Sequence, residues 1–138
     1  MSGAKRTNQL RDQRGGILLE FTLSALLLVF IFAGIVNMGL IYKDRLVLAG
    51  AVREAGRHAA VHHAIHGAEQ RGKAYLNAHG LAGDVRLTAV RGGRYVEVEG
   101  TARSPVMIPG MSALMGGRAW GSTIEMRDVK LFRVEPSI

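Results

Sequence analysis

Two groups of side chains in this sequence have types and spacing suited to chemistry. His58, His62 and His66 recur every fourth residue, with His63 beside them. On a helix that interval places the three on one stripe, and imidazoles one turn apart are a common zinc-binding pair. A metal site needs a further ligand from elsewhere, and nothing in the sequence marks one. The helical metalloprotease pattern has Glu directly after its first His, where Ala59 stands here. A solvated, partly charged face is the plainer reading; a metal site or a pH switch is the sharper one. The second feature is a lone carboxylate, Glu20, at the head of a run that has no charged residue from Phe21 to Tyr42. A carboxylate at the margin of an apolar helix calls for a partner. Its plain alternative is an interfacial Glu that stays in water.

Other chemistry is poorly represented. There is no cysteine, which excludes a disulfide framework, a thiol nucleophile and a Cys-based metal site. No Gly-rich phosphate loop follows a strand pattern, and no nucleophile elbow is present. Ser104, Ser112 and Ser122 stand outside any motif. The expectation is a protein that is not an enzyme and uses no cofactor.

The elements that position these residues follow from the order of the chain. Residues 1–15 are polar and basic: Lys5, Arg6, Arg11 and Arg14 against Asp12 carry +3 of the formal net charge of +7. The remaining charges are mixed in sign and have few aromatics among them, unlike a stacking surface for single strands, so nucleic acid is not an expected partner. The run from Phe21 to Tyr42 is about 22 residues, or about 33 Å as a helix, enough to cross the hydrocarbon core of a bilayer. It is longer than the apolar part of a secretory signal. The basic segment before it stays cytoplasmic by the positive-inside rule. Residues 1–15 therefore read as a cytoplasmic leader, 16–42 as a transmembrane helix, and 43–138 as a domain on the far side of the membrane.

No proline occurs before Pro105, and the helix is expected to continue past Tyr42 to a stop at Gly67. Val52, Ala55, Gly56 and Ala59 fall on one face at helical spacing and would let another backbone approach. A short second helix is expected over 68–79, ending at Gly80. Beyond Gly83 the period becomes two. Val85, Leu87 and Ala89, then Gly92-Gly93, then Val96, Val98 and Gly100, describe a hairpin. Its register sets Val85 opposite Gly100, Leu87 opposite Val98 and Ala89 opposite Val96, with Arg86 against Glu99 as a cross-strand ion pair. Residues 103–117 read as an apolar loop (Val106, Met107, Ile108, Met111, Leu114 and Met115) that either folds over the open end of the core or forms a partner surface. A third strand is expected from Ala119, with a bulge near Asp128. The fold class is α+β: a long N-terminal transmembrane helix running into a small soluble domain with a short second helix and an antiparallel sheet of about three strands.

The stretch Arg14-Gly15, Gly16-Ile17-Leu18-Leu19, Glu20-Phe21 resembles the type IV prepilin pattern of a basic leader, Gly, four mostly apolar residues, Glu-Phe and an apolar helix. In particular it is similar to the TadE-like pseudopilins (minor pilins) of Tad (Flp) pilus systems. Asp44-Arg45-Leu46 and the run Ala51 to Arg57 resemble the Ala/Arg/Gly-rich stretch that follows the helix in that family, and Ile124-Glu125-Met126-Arg127 is similar to its C-terminal edge. Two positions depart from it: Leu26 stands where many members have Pro, and Asn37 where many have Glu. The resemblance implies cleavage between Gly15 and Gly16 by a membrane-embedded prepilin peptidase. Glu20 would then be the fifth mature residue and, with Phe21, would set register in an assembly. It further implies other pilin or pseudopilin subunits, the Tad assembly platform and membrane lipid as partners, and residence in the bacterial inner membrane with a periplasmic C-terminal domain. An uncleaved, membrane-anchored periplasmic scaffold of the same machinery is the alternative.

Overall fold

Helix α1, Gly3–His62, begins inside the basic segment and runs without interruption through the apolar stretch into the Ala-rich sequence beyond it. The absence of proline and the abundance of Leu, Ala, Arg and Glu favour this continuity. The computed structural model describes the backbone of residues 3–62, 64–108 and 121–134 and the side chains of 15–62, 64–108 and 121–134. The chain divides into two units, Met1–Val36 and Asn37–Ile138.

In the first unit every large apolar side chain from Ile17 to Val36 is exposed, on all sides of the helix. A helix apolar all round is a membrane-spanning or fully buried element. α1 is long and apolar enough to cross a membrane. The Thr22 hydroxyl donates to the Leu18 carbonyl at 2.8 Å, so this polar group needs no water. The charged side chains of the basic leader lie outside the described side chains.

The second unit is built on a three-stranded antiparallel sheet, β1 (Ala82–Val90), β2 (Tyr95–Pro105) and β3 (Thr123–Arg133), with β2 in the middle. The α+β class and this element order agree with the expectation. The hairpin register agrees residue by residue, including Val85 opposite Gly100 and Leu87 opposite Val98. The ladder stops at Val90 and Tyr95, leaving Arg91 to Arg94 as the connection. Gly92 and Gly93 both have positive φ, as a type I′ turn requires, and Arg91 joins them at φ 52.

One face of the sheet is covered by the C-terminal part of α1 and by α2 (Ile65–Ala78). Leu48, Ala51, Val52, Ala55 and Ala59 of α1, Ala68 and Leu76 of α2, and Val85, Leu87, Val96, Val98 and Ala102 of the sheet form one buried cluster. The small-residue face anticipated at Val52, Ala55, Gly56 and Ala59 is the packed one. At Gly100 a Cβ would lie 2.5 Å from Val52 Cγ2 and 2.9 Å from Leu48 Cδ1; only glycine lets the helix come this close. At Gly56 the ring of Phe132 occupies the space of the missing Cβ.

Four expectations are corrected. The first helix ends at His62 and the second starts at Ile65, so there is no continuous helix to Gly67. Turning at Ala64, which is non-helical at φ −106 and ψ 89, lets Ala68, Gly72 and Leu76 face the core; a straight continuation would lose that burial. The loop expected from Arg103 begins later, because β2 runs to Pro105. Val106 is buried with Ile41 and Ile124, as a cover over the open end requires, whereas Met111, Leu114 and Met115 lie outside the described residues. The bulge near Asp128 is absent: the β2–β3 ladder pairs every residue from Tyr95 with Arg133 to Pro105 with Thr123. Strict alternation turns Asp128 and Lys130 toward the covered face, where they pair at 3.4 Å. Ala119 and Trp120 lie outside the described residues. Lastly, Arg86 and Glu99 are opposite in register, but Glu99 pairs with Arg127 at 2.7 Å and Arg86 with Asp84 at 3.5 Å.

Helix α2 ends in a Schellman arrangement. The Leu81 N–H donates to the Leu76 carbonyl and the Gly80 N–H to that of Asn77, both at 3.0 Å, with Gly80 at φ 69. Glu69 accepts the Leu87 backbone N–H at 3.0 Å, satisfying a donor on the outer edge of β1. Lys73 reaches Asp84 at 2.9 Å. That contact is the main reason the Asp84 carboxyl lies below its ordinary value; the Val85 N–H and the charge of Arg86 act in the same direction, against partial burial.

Gly100→Ala should destabilise the folded chain in detergent by about 1–3 kcal/mol, through overpacking against Leu48 and Val52. Gly39→Ala, where a Cβ meets nothing within 4 Å, should not destabilise it. Chemical denaturation of the two variants checks this. Because the folded Asp84 titrates below its unfolded value of 3.8, its contribution is complete above that pH and lost as pH falls below it. Lys73→Met should therefore flatten the acid limb of stability against pH, and an unchanged limb would count against the ion pair.

Candidate functional site

Gly15, Gly16, Glu20 and Phe21 all lie on α1. The space around both glycines is open: a Cβ at either position would have nothing within 4 Å. Glu20 is exposed, and among the described residues it has no hydrogen bond or ion pair. Phe21 is 71% exposed. In the uncut chain Glu20 is not close to a helix N-terminus, because the backbone is already helical from Gly3. The helix dipole acts within about the first turn, so Glu20 feels it only if a new N-terminus is made near Gly16.

The histidine stripe is divided between two helices. His58 and His62 stand one turn apart on α1, with ring centroids 4.6 Å apart and planes tilted by 41°. His66 is on α2 and contacts Gln70 at 3.3 Å; His63 lies outside the described residues. His58 and His62 line a cavity of about 220 Å³ with Glu54, Arg57, Val61 and Arg71. Glu54 lies 3.7 Å from both Arg57 and Arg71, which ties the two helices together. Burial lowers the His58 pKa below its ordinary value, with His62 and then Arg71 acting in the same direction. Glu54 acts in the opposite direction. Among the described residues no group of three or more His, Asp or Glu side chains is placed to hold a metal ion.

Sequence reasoning did not single out a second set of residues. Asn37, Asp44 and Ser104 are buried polar side chains where α1 meets the end of the sheet. Ser104 Oγ–H donates to Asp44 Oδ2 at 2.6 Å, and Lys43 lies 3.1 Å from Asp44 Oδ1. Asn37 Oδ1 accepts the Met107 backbone N–H at 2.9 Å. The available signal was Asn37 itself, the one amide side chain within an otherwise apolar run.

Residues 15–57 match the family model described as TadE-like protein. The match takes in Gly15-Gly16, Glu20, the apolar run and the Ala/Arg/Gly-rich turns beyond it, which are the stretches that carry the resemblance; the similarity noted near Ile124 lies outside it. The matched segment is similar to TadE-like proteins, and it lies within the one helix among the described residues that is long and apolar enough to cross a membrane. No curated protein and no solved structure matches the chain.

The arrangement of the histidines gives a direct test. Zinc should leave the melting temperature of the purified protein unchanged, because His58 and His62 offer only two ligands. A rise of several degrees that His62→Ala abolishes would restore the metal-site reading.

Proposed function

We propose that this chain is a TadE-like minor pilin, or pseudopilin, that a prepilin peptidase cuts between Gly15 and Gly16 before it takes part in Tad (Flp) pilus assembly. The observation that carries the reading is Glu20: an exposed carboxylate four residues after Gly16, on a helix whose large side chains are apolar on every side. Hydrolysis of the Gly15–Gly16 bond leaves a carboxylate on Gly15 and an amine on Gly16. The first backbone N–H groups of the shortened helix then lack intrahelical partners, and Glu20 stands one turn from them. The same carboxylate meets the Gly16 ammonium of a neighbouring subunit when the helices leave lipid for a bundle. In that dry setting the pair fixes register, because leaving one charge unpaired costs about 3–5 kcal/mol. The basic leader keeps the N-terminus cytoplasmic, and the sheet domain lies on the periplasmic face of the inner membrane. The partners are the peptidase, other pilin or pseudopilin subunits and the assembly platform; the role is assembly, without catalysis.

A second reading, an uncleaved anchored scaffold of the same machinery, is favoured by one observation: α1 is helical straight through Gly15-Gly16, so the bond is not presented in an extended form. N-terminal sequencing of the membrane-extracted protein, from cells that contain the peptidase, separates the two. A start at Gly16 is expected, and an intact leader supports the scaffold. Glu20→Ala should insert normally yet be missing from assembled pili; normal incorporation would sink the register role.

A further inference from the structure

The end of the sheet nearest the apolar run holds three contacts that climb α1 in step. Ser104 meets Asp44 at 2.6 Å, Val106 is buried with Ile41, and the Met107 N–H meets Asn37 at 2.9 Å. From residue 44 to 37 the helix rises about 10 Å. From residue 104 to 107 an extended chain covers about the same distance. The end of β2 therefore runs antiparallel along the helix, toward its apolar part. Met107 emerges beside Asn37 and is 71% exposed, although Val106 before it is buried.

The position of Asn37 bounds the depth of Met107. The exposed apolar stretch Ile17–Val36 is about 30 Å long as a helix, equal to the hydrocarbon thickness of a bilayer. If lipid covers only that stretch, Asn37 and Met107 lie at the boundary between acyl chains and headgroups. If lipid covers the charge-free run to Tyr42, Met107 is deeper by a few ångströms. Tyr42, 65% exposed, stands next on the helix, and Lys43 and exposed Arg45 follow it. An aromatic ring and then cations is the order in which side chains match a bilayer interface and its phosphates.

We propose that the exposed Met107 side chain, just beyond the end of β2, inserts at the acyl–headgroup boundary of the leaflet on the C-terminal side of the span, with Lys43 and Arg45 at the phosphates. Met107 is then a second membrane contact besides the helix. Asn37 Oδ1 accepts the Met107 N–H, which lets a backbone N–H approach lipid without being left unsatisfied. This inference rests on α1 spanning the membrane, though not on its being cut.

The chain has no cysteine, so single labels are specific. Met107→Cys carrying the environment-sensitive NBD fluorophore is reconstituted as the full chain in vesicles of phosphatidylethanolamine and phosphatidylglycerol, alongside Leu28→Cys in mid-span and Thr88→Cys. The last lies on β1 opposite Glu97, about 26 Å along the strand from Pro105. The label at 107 should emit as in an apolar medium and be quenched by lipid nitroxides near the headgroup more than by nitroxides deep in the chains. The label at 28 should show the reverse preference, and that at 88 should read as water. A water-like signal at 107 with a lipid-like one at 28 overturns the insertion alone. An apolar signal at 107 that no lipid quencher reaches means that protein rather than lipid covers Met107, and also overturns it. A water-like signal at 28 removes the membrane span itself, a separate failure.

Discussion

The second unit depends on the closeness of α1 to Gly100. Val52 and Leu48 lie where a Cβ at position 100 would be, so the helix rests directly on the middle strand. That approach brings Phe132 against Gly56 and leaves Ala51, Ala55 and Ala59 almost without exposed surface. Dispersion between closely placed atoms is weak singly and large in sum, and small residues gain it here by nearness rather than by bulk. A domain this small has little apolar area to spend on a loose interface. It therefore uses one long helix both as its main packing element and as its link to the membrane.

The same helix changes its environment without a break. Up to Val36 its large side chains face outward in every direction, and from Asn37 one face is claimed by the sheet. The transition is marked by polar groups satisfied internally: Asn37 by Met107, and Asp44 by Ser104 and Lys43. A buried hydrogen bond contributes modestly when made and costs more when broken. These groups therefore fix the height at which sheet and helix engage more than they add to stability.

Much of this was legible in the sequence because it rests on period and residue size. The two-residue alternation from Val85 to Gly100 has one register that keeps Val and Leu on a single face, and that register is the one formed. The i, i+3, i+4, i+7 spacing of Val52, Ala55, Gly56 and Ala59 marked the packed face of α1. Ion partners were harder to read. Glu99 has Arg86 across from it and Arg127 diagonally placed, and long side chains on an exposed face choose by local geometry. Asp128 and Lys130 misled for a related reason: two charged residues in a strand suggest a change of phase, but a pair that neutralises itself can remain on the covered side. The turn at Ala64 was hidden because no glycine or proline marks it; what decides it is the burial gained by Ala68, Gly72 and Leu76, a tertiary effect. At the candidate site, the residues were legible as a motif, while the continuity of the helix through them was not.

That continuity bears on how the chain can be hydrolysed. A peptide bond inside a helix has its N–H and C=O engaged along the axis, and a protease reads an extended strand. For the proposed cut between Gly15 and Gly16, that bond would first have to leave the helix. Glycine is about 1 kcal/mol less favourable than alanine in a helix interior, so two in succession lower the cost of opening α1 here. Among the described residues, nothing lies within 4 Å of where a Cβ would stand at either glycine. On the proposed function, the glycine pair would serve as a pre-weakened seam, and local melting would be the step that a membrane peptidase has to capture.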